Sequence, residues 1–247
     1  MTRIASHRGG TLEFGDSTPR GFRATAAMAL EEVEFDLHPT RDGAIMVHHD
    51  ATLDRTTDGS GVIAELSEAE MRAATINFSG GEHPLSLAEL CAIYAGSHVD
   101  FRCELKPGSD GLPYRDFVSK VVETLRAHNM LERTRFSSFL LETLEEIGAI
   151  TDRPSLWLVS PPVLRQVGSA ALIQIMRDKG IGEIGVHVDD ASAELMSAFT
   201  QNGISFGCWA AHSAAQINKA LDLRVKVFTT DRPSLALAMR QQRETRS

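Results

Sequence analysis

Val33-Glu34-Phe35-Asp36-Leu37-His38 is the stretch on which the fold turns. It reads as a short β-strand. Successive side chains of a strand point to opposite faces, so Glu34 and Asp36 share one face. Two neighbouring carboxylates repel, and burying them without a partner is costly. A cation between them removes that cost. Ligands that are all oxygen select a hard ion, Mg²⁺ or Ca²⁺, over zinc. A solvent-facing edge strand with two ordinary acids carries the same Glu-x-Asp pattern, so the flanking sequence has to separate the two.

Upstream, Arg3 to Ser6 is expected to be a strand that runs into His7-Arg8-Gly9-Gly10. Paired glycines after a strand suit a sharp turn or a close approach to a ligand. Asp16-Ser17-Thr18-Pro19 has the look of a helix start, and Phe22 to Glu32 is helix-favouring. Downstream, Asp42-Gly43 is a hairpin signal, and Ala44 to Asp50 reads as its returning strand. Residues 51–83 break the rhythm with the polar, Gly-rich run Asp54 to Gly61. They are read as an insertion that covers a site, with one short helix at about Ser67 to Ala74 and Glu70 in a capping box.

Beyond the insertion the chain alternates. Helices are expected at Ser86–Ala95, Tyr114–His128, Leu140–Ile150, Val163–Lys179, Ala191–Asn202, Ser213–Leu221 and Ser234–Arg243. Strands are expected at Val99–Lys106, Arg135–Phe139, Ser155–Val159, Glu183–Val188, Ser205–Trp209 and Val225–Thr229. About eight strand–helix units with short links predict a parallel sheet closed as a (β/α)₈ TIM barrel, with a small insertion after the second strand. An open doubly wound sheet is the alternative, but no Gly-rich dinucleotide fingerprint follows the first strand. The whole of 1–247 is read as one domain, with 51–83 as its cap region, and the polar run Gln241 to Ser247 is expected to fray.

The bulk numbers exclude several classes. The chain has 247 residues, 43% hydrophobic and 23% charged, which suits a soluble protein with an ample core. A net charge of −8 argues against nucleic acid as a partner and gives no attraction to anionic membranes. No run approaches the ~20 apolar residues of a membrane span. Cys91, Cys103 and Cys208 are far apart in apolar runs and read as reduced core thiols. With no apolar leader after Met1, the expected location is cytoplasmic.

In a TIM barrel the site lies at the C-terminal strand ends. Those ends carry His7 and Arg8, Glu34 and Asp36, His49 and Asp50, Glu104 and Lys106, Ser137 and Ser138, His187, Trp209, and Thr230 and Asp231. Other residues have plainer readings. His48 points away from His49 and is structural. His38 shares a face with Glu34 and Asp36 and either lines the pocket or packs behind it. His187 either lines the site or faces the rim, and Trp209 either stacks on a substrate or packs in the core. His83, His98, His128 and His212 read as loop or helix-surface residues, Asp231 as a turn or cap residue, and Glu142, Glu145 and Glu146 as a solvated helix face.

Taken in order, these motifs resemble the glycerophosphodiester phosphodiesterase family over nearly the whole chain. The resemblance rests on His7-Arg8-Gly9, Glu34-Phe35-Asp36, Thr40-Arg41-Asp42-Gly43, His49-Asp50, Leu53-Asp54-Arg55-Thr56-Thr57, Gly59-x-Gly61, Glu104-Leu105-Lys106, Ser137-Ser138-Phe139, Trp209 and Thr230-Asp231-Arg232-Pro233. It implies a phosphodiesterase dependent on one divalent cation, Mg²⁺ or Ca²⁺, that releases an alcohol and sn-glycerol 3-phosphate. By that likeness Glu34, Asp36 and Glu104 hold the cation, Arg8 and Lys106 bind the phosphate, and His7 and His49 are the acid–base pair. The substrate's own glycerol hydroxyl would attack first, giving a cyclic phosphate that water then opens. The partner implied is a small molecule. A sugar-phosphate diesterase, or a barrel that binds such diesters without turnover, is the alternative. One departure stands out. The family's Pro-Glu-Asn-Thr is here Gly15-Asp16-Ser17-Thr18, so Asp16 replaces a Glu expected near the metal.

Overall fold

The alternation closes into a ring. In the computed structural model, which describes residues 1–245, eight strands pair in parallel. They are β1 (Arg3–His7), β2 (Glu32–Pro39), β4 (Asp100–Leu105), β5 (Thr134–Ser138), β6 (Ser155–Val159), β7 (Glu183–His187), β8 (Ser205–Trp209) and β9 (Val227–Thr230). Each pairs with its neighbours, and β1 pairs with both β2 and β9, which closes the barrel. A ninth strand, β3 (Ile45–Val47), returns antiparallel along β2 after a turn at Gly43. The helices are α1 (Thr11–Phe14), α2 (Pro19–Ala26), α3 (Glu68–Ala73), α4 (Leu87–Tyr94), α5 (Phe117–Ala127) and α6 (Leu141–Ile150). They continue with α7 (Pro161–Val167), α8 (Ser169–Asp178), α9 (Ala193–Thr200), α10 (Ala214–Leu223) and α11 (Pro233–Glu244).

The strand pattern explains which face points where. In β2, Val33, Phe35 and Leu37 alternate with Glu32, Glu34, Asp36 and His38, and all seven are buried. The apolar set belongs to the main core with Phe101, Cys103 and Leu105 of β4 and with helix residues such as Leu90, Tyr94, Val121 and Leu125. The polar set faces the barrel interior. The register then sets polar residues side by side, with His7 opposite Glu34, Asp36 opposite Glu104, and Glu104 opposite Ser137. The excursion between β3 and α4 has its own small cluster of Met46, Leu53, Ile63, Met71 and Ala74. The expected capping box forms at Ser67–Glu70, and a second forms at Ser86–Glu89.

Several boundaries differ from expectation. The helix expected over Phe22–Glu32 stops at Ala26, because Glu31 N–H is captured by the Ile4 carbonyl and Glu32 already pairs with β1 and β4. Sheet pairing overrides local helix propensity there. The stretch Val163–Lys179 is two helices, broken at Gly168 with φ 77°. Tyr114 precedes α5, which starts after Asp116, itself left-handed at φ 54°. The strand expected over Ala44–Asp50 shortens to Ile45–Val47, and α1 was not foreseen. Fraying from Gln241 is not observed up to Glu244, where Arg243 holds Asp222 and Asn218. Arg246 and Ser247 lie outside the described residues. Among the described residues no helix is long and apolar enough to cross a membrane.

The N-terminal end of the barrel is sealed by ions rather than by apolar packing. Arg102 is buried and donates to Glu32 at 2.7 Å and to Glu183 at 3.1 Å. Glu32 also meets Arg3 at 3.0 Å, and Glu183 meets Lys226 at 2.5 Å and Arg135 at 3.4 Å. Each partner comes from a different strand or strand start, so the network ties the barrel's circumference together. Arg102→Met is therefore expected to lower the unfolding free energy by about 3 kcal/mol, the scale for breaking a buried ion pair. A shift of the urea midpoint to lower concentration checks this, and an unchanged midpoint would refute it.

Candidate active site

At the opposite end, β1 delivers His7 and then turns abruptly. Arg8, Gly9 and Gly10 all have positive φ, of 50°, 76° and 85°. A Cβ on Gly9 would lie 3.0 Å from the Phe22 nitrogen, so only glycine lets this turn pack against α2. The turn throws the Arg8 side chain back over the barrel mouth. There Arg8 Nε meets Asp36 at 3.0 Å, and Nη1 meets Asp16 at 3.0 Å.

Glu34, Asp36 and Glu104 converge from β2 and β4, with carboxylate oxygens all within 4.8 Å of one another. All three are buried. Lys106 Nζ sits between Asp36 at 3.0 Å and Glu104 at 2.5 Å. Both Glu34 oxygens are buried with no hydrogen-bond partner; the nearest cationic candidate is His7 Nε2 at 3.7 Å. Burial, with Asp36 and Glu104 adding repulsion, pushes the Glu34 carboxyl well above its ordinary range. Burial likewise raises Glu104 to about 7, against the pull of Lys106. Burial works against ionised Asp36 too, but Lys106 and Arg8 together hold it far below the usual range. Three buried carboxylates with unsatisfied oxygens are the donor set of a hard divalent cation.

Two histidines flank this cluster, each with a carboxylate behind it. His7 Nδ1 donates to Asp231 Oδ1 at 2.5 Å. His49 Nδ1 donates to Asp50 Oδ1 at 2.5 Å. Asp50 is itself held by Arg55, at 2.5 and 3.0 Å. Burial opposes the Asp50 charge, but Arg55 and His49 keep its carboxyl below the usual range. With Nδ1 committed, each imidazole turns Nε2 toward the site. Burial lowers the His49 pKa, with Asp36 opposing.

A cavity of about 210 Å³ joins these parts, lined by His7, Arg8, Glu34, His49, Glu104 and Lys106 among others. Of the further expected residues, Trp209 also lines it, edge-on to Phe139 and His187. His187 caps the turn that follows it through Asp189 N–H, and it is not among the lining residues. His38 packs behind the wall. Its Nε2 donates to the His49 carbonyl at 3.1 Å, Nδ1 accepts from Tyr114, and burial drops its pKa to about 4. Asp16 is spent on Arg8 and on the Ser17 hydroxyl, and it stands outside the carboxylate cluster. His48, just past β3, is buried against the Thr52 carbonyl, which agrees with its structural reading.

Two readings need extending. His212 is a loop residue as read, but not an idle one: it lines the cavity 5.4 Å from the His7 ring, and its Nδ1 accepts the Asp231 N–H at 3.0 Å. Asp231 is more than a turn residue, since its carboxylate accepts from His7 and its backbone N–H donates to His212. Burial opposes its charge, and the bond from His7 keeps its pKa low. Both lie in links just past strand ends, where sequence position alone does not say which way a side chain turns.

Protons and a cation compete for the raised carboxyls, so cation affinity has to rise with pH. The dissociation constant for Mg²⁺ or Ca²⁺ is expected to fall roughly tenfold per pH unit for each proton displaced as pH rises from about 5 through 7. Calorimetric titration checks this, and a pH-independent affinity would contradict it.

Comparison with known proteins agrees with this geometry. The family model described as glycerophosphoryl diester phosphodiesterase family matches residues 7–235. A glycerophosphodiester phosphodiesterase from Caldanaerobacter subterraneus subsp. tengcongensis is 23% identical over 237 residues, covering 94% of this chain and 95% of the relative. A crystal structure from Agrobacterium tumefaciens, provisionally named a glycerophosphoryl diester phosphodiesterase, is 62% identical with a TM-score of 0.98 and covers 99% of both chains. An Oleispira antarctica phosphodiesterase, solved in complex with the product sn-glycerol-3-phosphate, has a TM-score of 0.86 at 21% identity and covers 96% of both chains. The chain belongs to the glycerophosphoryl diester phosphodiesterase family, a family of phosphoric diester hydrolases.

Proposed function

We propose that this chain hydrolyses glycerophosphodiesters to an alcohol and sn-glycerol 3-phosphate, with one divalent cation, Mg²⁺ or Ca²⁺, held by Glu34, Asp36 and Glu104. The observation that carries the reading is the pairing of that carboxylate cluster with two histidines, each backed by its own carboxylate. The bound cation would supply positive charge where a phosphodiester develops negative charge. Arg8 and Lys106 add to it, Arg as a fork and Lys as a point charge.

The histidines move the protons. Burial favours neutral His49, which suits its Nε2 to take the proton of the attacking hydroxyl. That hydroxyl is the substrate's own, on the carbon next to the phosphate ester. As the new O–P bond forms, the bond from phosphorus to the leaving alcohol breaks, and His7 Nε2 gives that oxygen its proton. Water then opens the cyclic phosphate with the two roles exchanged. Asp50 and Asp231 hold each ring in the tautomer this requires. Under this reading the chain acts as one domain with 51–83 as its cap region. The cytoplasm suits its three buried free cysteines.

The test is hydrolysis of glycerophosphocholine, glycerophosphoethanolamine and glycerophosphoinositol with Mg²⁺, with Ca²⁺ and with a chelator. Release of sn-glycerol 3-phosphate is expected only with metal. His7→Ala and His49→Ala should each lower kcat by about 10²–10⁴-fold. Tight cation binding with no turnover of any diester would identify a binding protein instead.

A further inference from the structure

The closed, N-terminal end of the barrel has the opposite charge problem from the mouth. The chain as a whole carries −8. Yet a cavity of about 80 Å³ beside the Arg102 seal is lined by four guanidiniums, those of Arg3, Arg133, Arg135 and Arg153. They come from β1, from the turn before β5, from β5 itself and from the link into β6. Three acids, Glu32, Asp100 and Glu132, line the same cavity. Arg102, Lys226 and Glu183 are tied to these groups from behind. In the joined network six cations face four carboxylates, an excess of two positive charges. Glu31 beside it is already balanced by Arg240. Asp152, on an adjoining surface, is exposed and forms no ion pair among the described residues. A concave wall with charge of one sign in excess focuses its field and draws in a counter-ion.

Two of the four guanidiniums are weakly neutralised. Both Glu183 oxygens are taken, one by Arg102 at 3.1 Å and the other by Lys226 at 2.5 Å. Arg135 is left with an ion pair to Glu183 at 3.4 Å, and its guanidinium makes no hydrogen bond among the described residues, although the side chain is only 24% exposed. Arg153 donates to the Glu132 carboxylate at 2.8 Å, but that side chain is 80% exposed, so water competes for it. Its other bonds go to the carbonyls of Glu132 and Thr134, which orient the guanidinium without neutralising it.

Guanidinium forks match the oxygens of a tetrahedral oxyanion. The excess of two charges calls for a dianion, and a cavity of about 80 Å³ suits one such ion rather than a nucleotide. We propose that Arg135 and Arg153, together with Arg3 and Arg133, form a binding site for one small dianionic oxyanion of the inorganic phosphate class at the closed end of the barrel. An ion held there joins β1 to β5 and to the link before β6. It binds the folded chain alone and therefore stabilises it. The site is separate from the carboxylate cluster and does not depend on which diester the mouth accepts.

The experiment titrates inorganic phosphate and, separately, sulfate into the metal-free full chain by calorimetry, with chloride holding the ionic strength constant. Lys106→Ala, which weakens phosphate binding at the mouth, is titrated beside the wild type. One dianion per chain is expected to bind in both, and both oxyanions should raise the thermal midpoint. Arg135→Gln and Arg153→Gln should each weaken the binding about tenfold, the scale for losing a charge-assisted hydrogen bond. Arg135→Lys, which keeps the charge without the fork, should weaken it less. Glu183 retains Arg102 and Lys226 in the Arg135 variants, so their unfolding in chloride alone should stay cooperative and serves as the folding control. Binding unchanged in both Gln variants overturns the site, as does binding lost in Lys106→Ala but kept in the Gln variants. Heats and midpoints no different from those in chloride overturn it as well.

Discussion

Repulsion among three buried carboxylates is the constraint to which the rest of the site answers. Glu34, Asp36 and Glu104 share one small volume, and among the described residues the permanently charged groups within ion-pair distance of them are Arg8 and Lys106. Three negative charges against two positive ones leave one excess. A proton on Glu34 removes it, and burial first, then repulsion from Asp36 and Glu104, raises that residue's pKa in favour of the protonated form. A divalent cation in place of the proton leaves one net positive charge, and a phosphodiester brings one negative charge. Under the proposed function, cation and substrate together would close the charge balance of the site, and neither alone would.

Holding such a cluster requires a rigid frame. The frame is an alternation of β2 and β4 in which one face is wholly apolar and the other wholly polar. The apolar face is clamped by α4 and α5. The polar face is held at the far end by Arg102 between Glu32 and Glu183. Acids lie along the whole interior of β2, from Glu32 through Glu34 to Asp36, and the two outer levels have their own counter-charges. At the closed end these are Arg3 and Arg102, and at the open end Arg8 and Lys106. Glu34, midway between, is the level that lacks one.

Where side-chain direction follows from strand period, the sequence was a reliable guide. Glu34 and Asp36 are two residues apart on β2, and Glu104 and Lys106 are two apart at the end of β4, so each pair's common direction was legible in the sequence. His48 and His49, just past the end of β3, kept the alternation of the strand and were separable. Other residues in the links after strands were not separable. Asp231 and His212 depend on the turn at Ala210, left-handed at φ 63°, and on the pairing of β9 with β1. Asp16 aligned with a residue expected near a metal, yet it bonds to Arg8 because the turn at Gly9 brings that guanidinium within 3.0 Å. The break at Gly168 and the early stop of α2 at Ala26 were hidden for a related reason. Local helix propensity continued through both, and backbone geometry and sheet pairing ended them.

The two histidines differ in how their support is built, and that difference bears on how the site assembles. His49 takes its carboxylate from the next residue, Asp50, and Arg55 fixes it within the same loop. That half is local and forms with the hairpin. His7 takes its carboxylate from Asp231, 224 residues away. The two meet only because β1 pairs with β9, the last seam of the barrel to find its partner along the chain. A chain folded as far as β8 would hold the carboxylate cluster, Lys106 and a supported His49, but an unsupported His7. The support of His7 is therefore tied to closure of the barrel, and under the proposed two-histidine chemistry the reaction is confined to the closed fold.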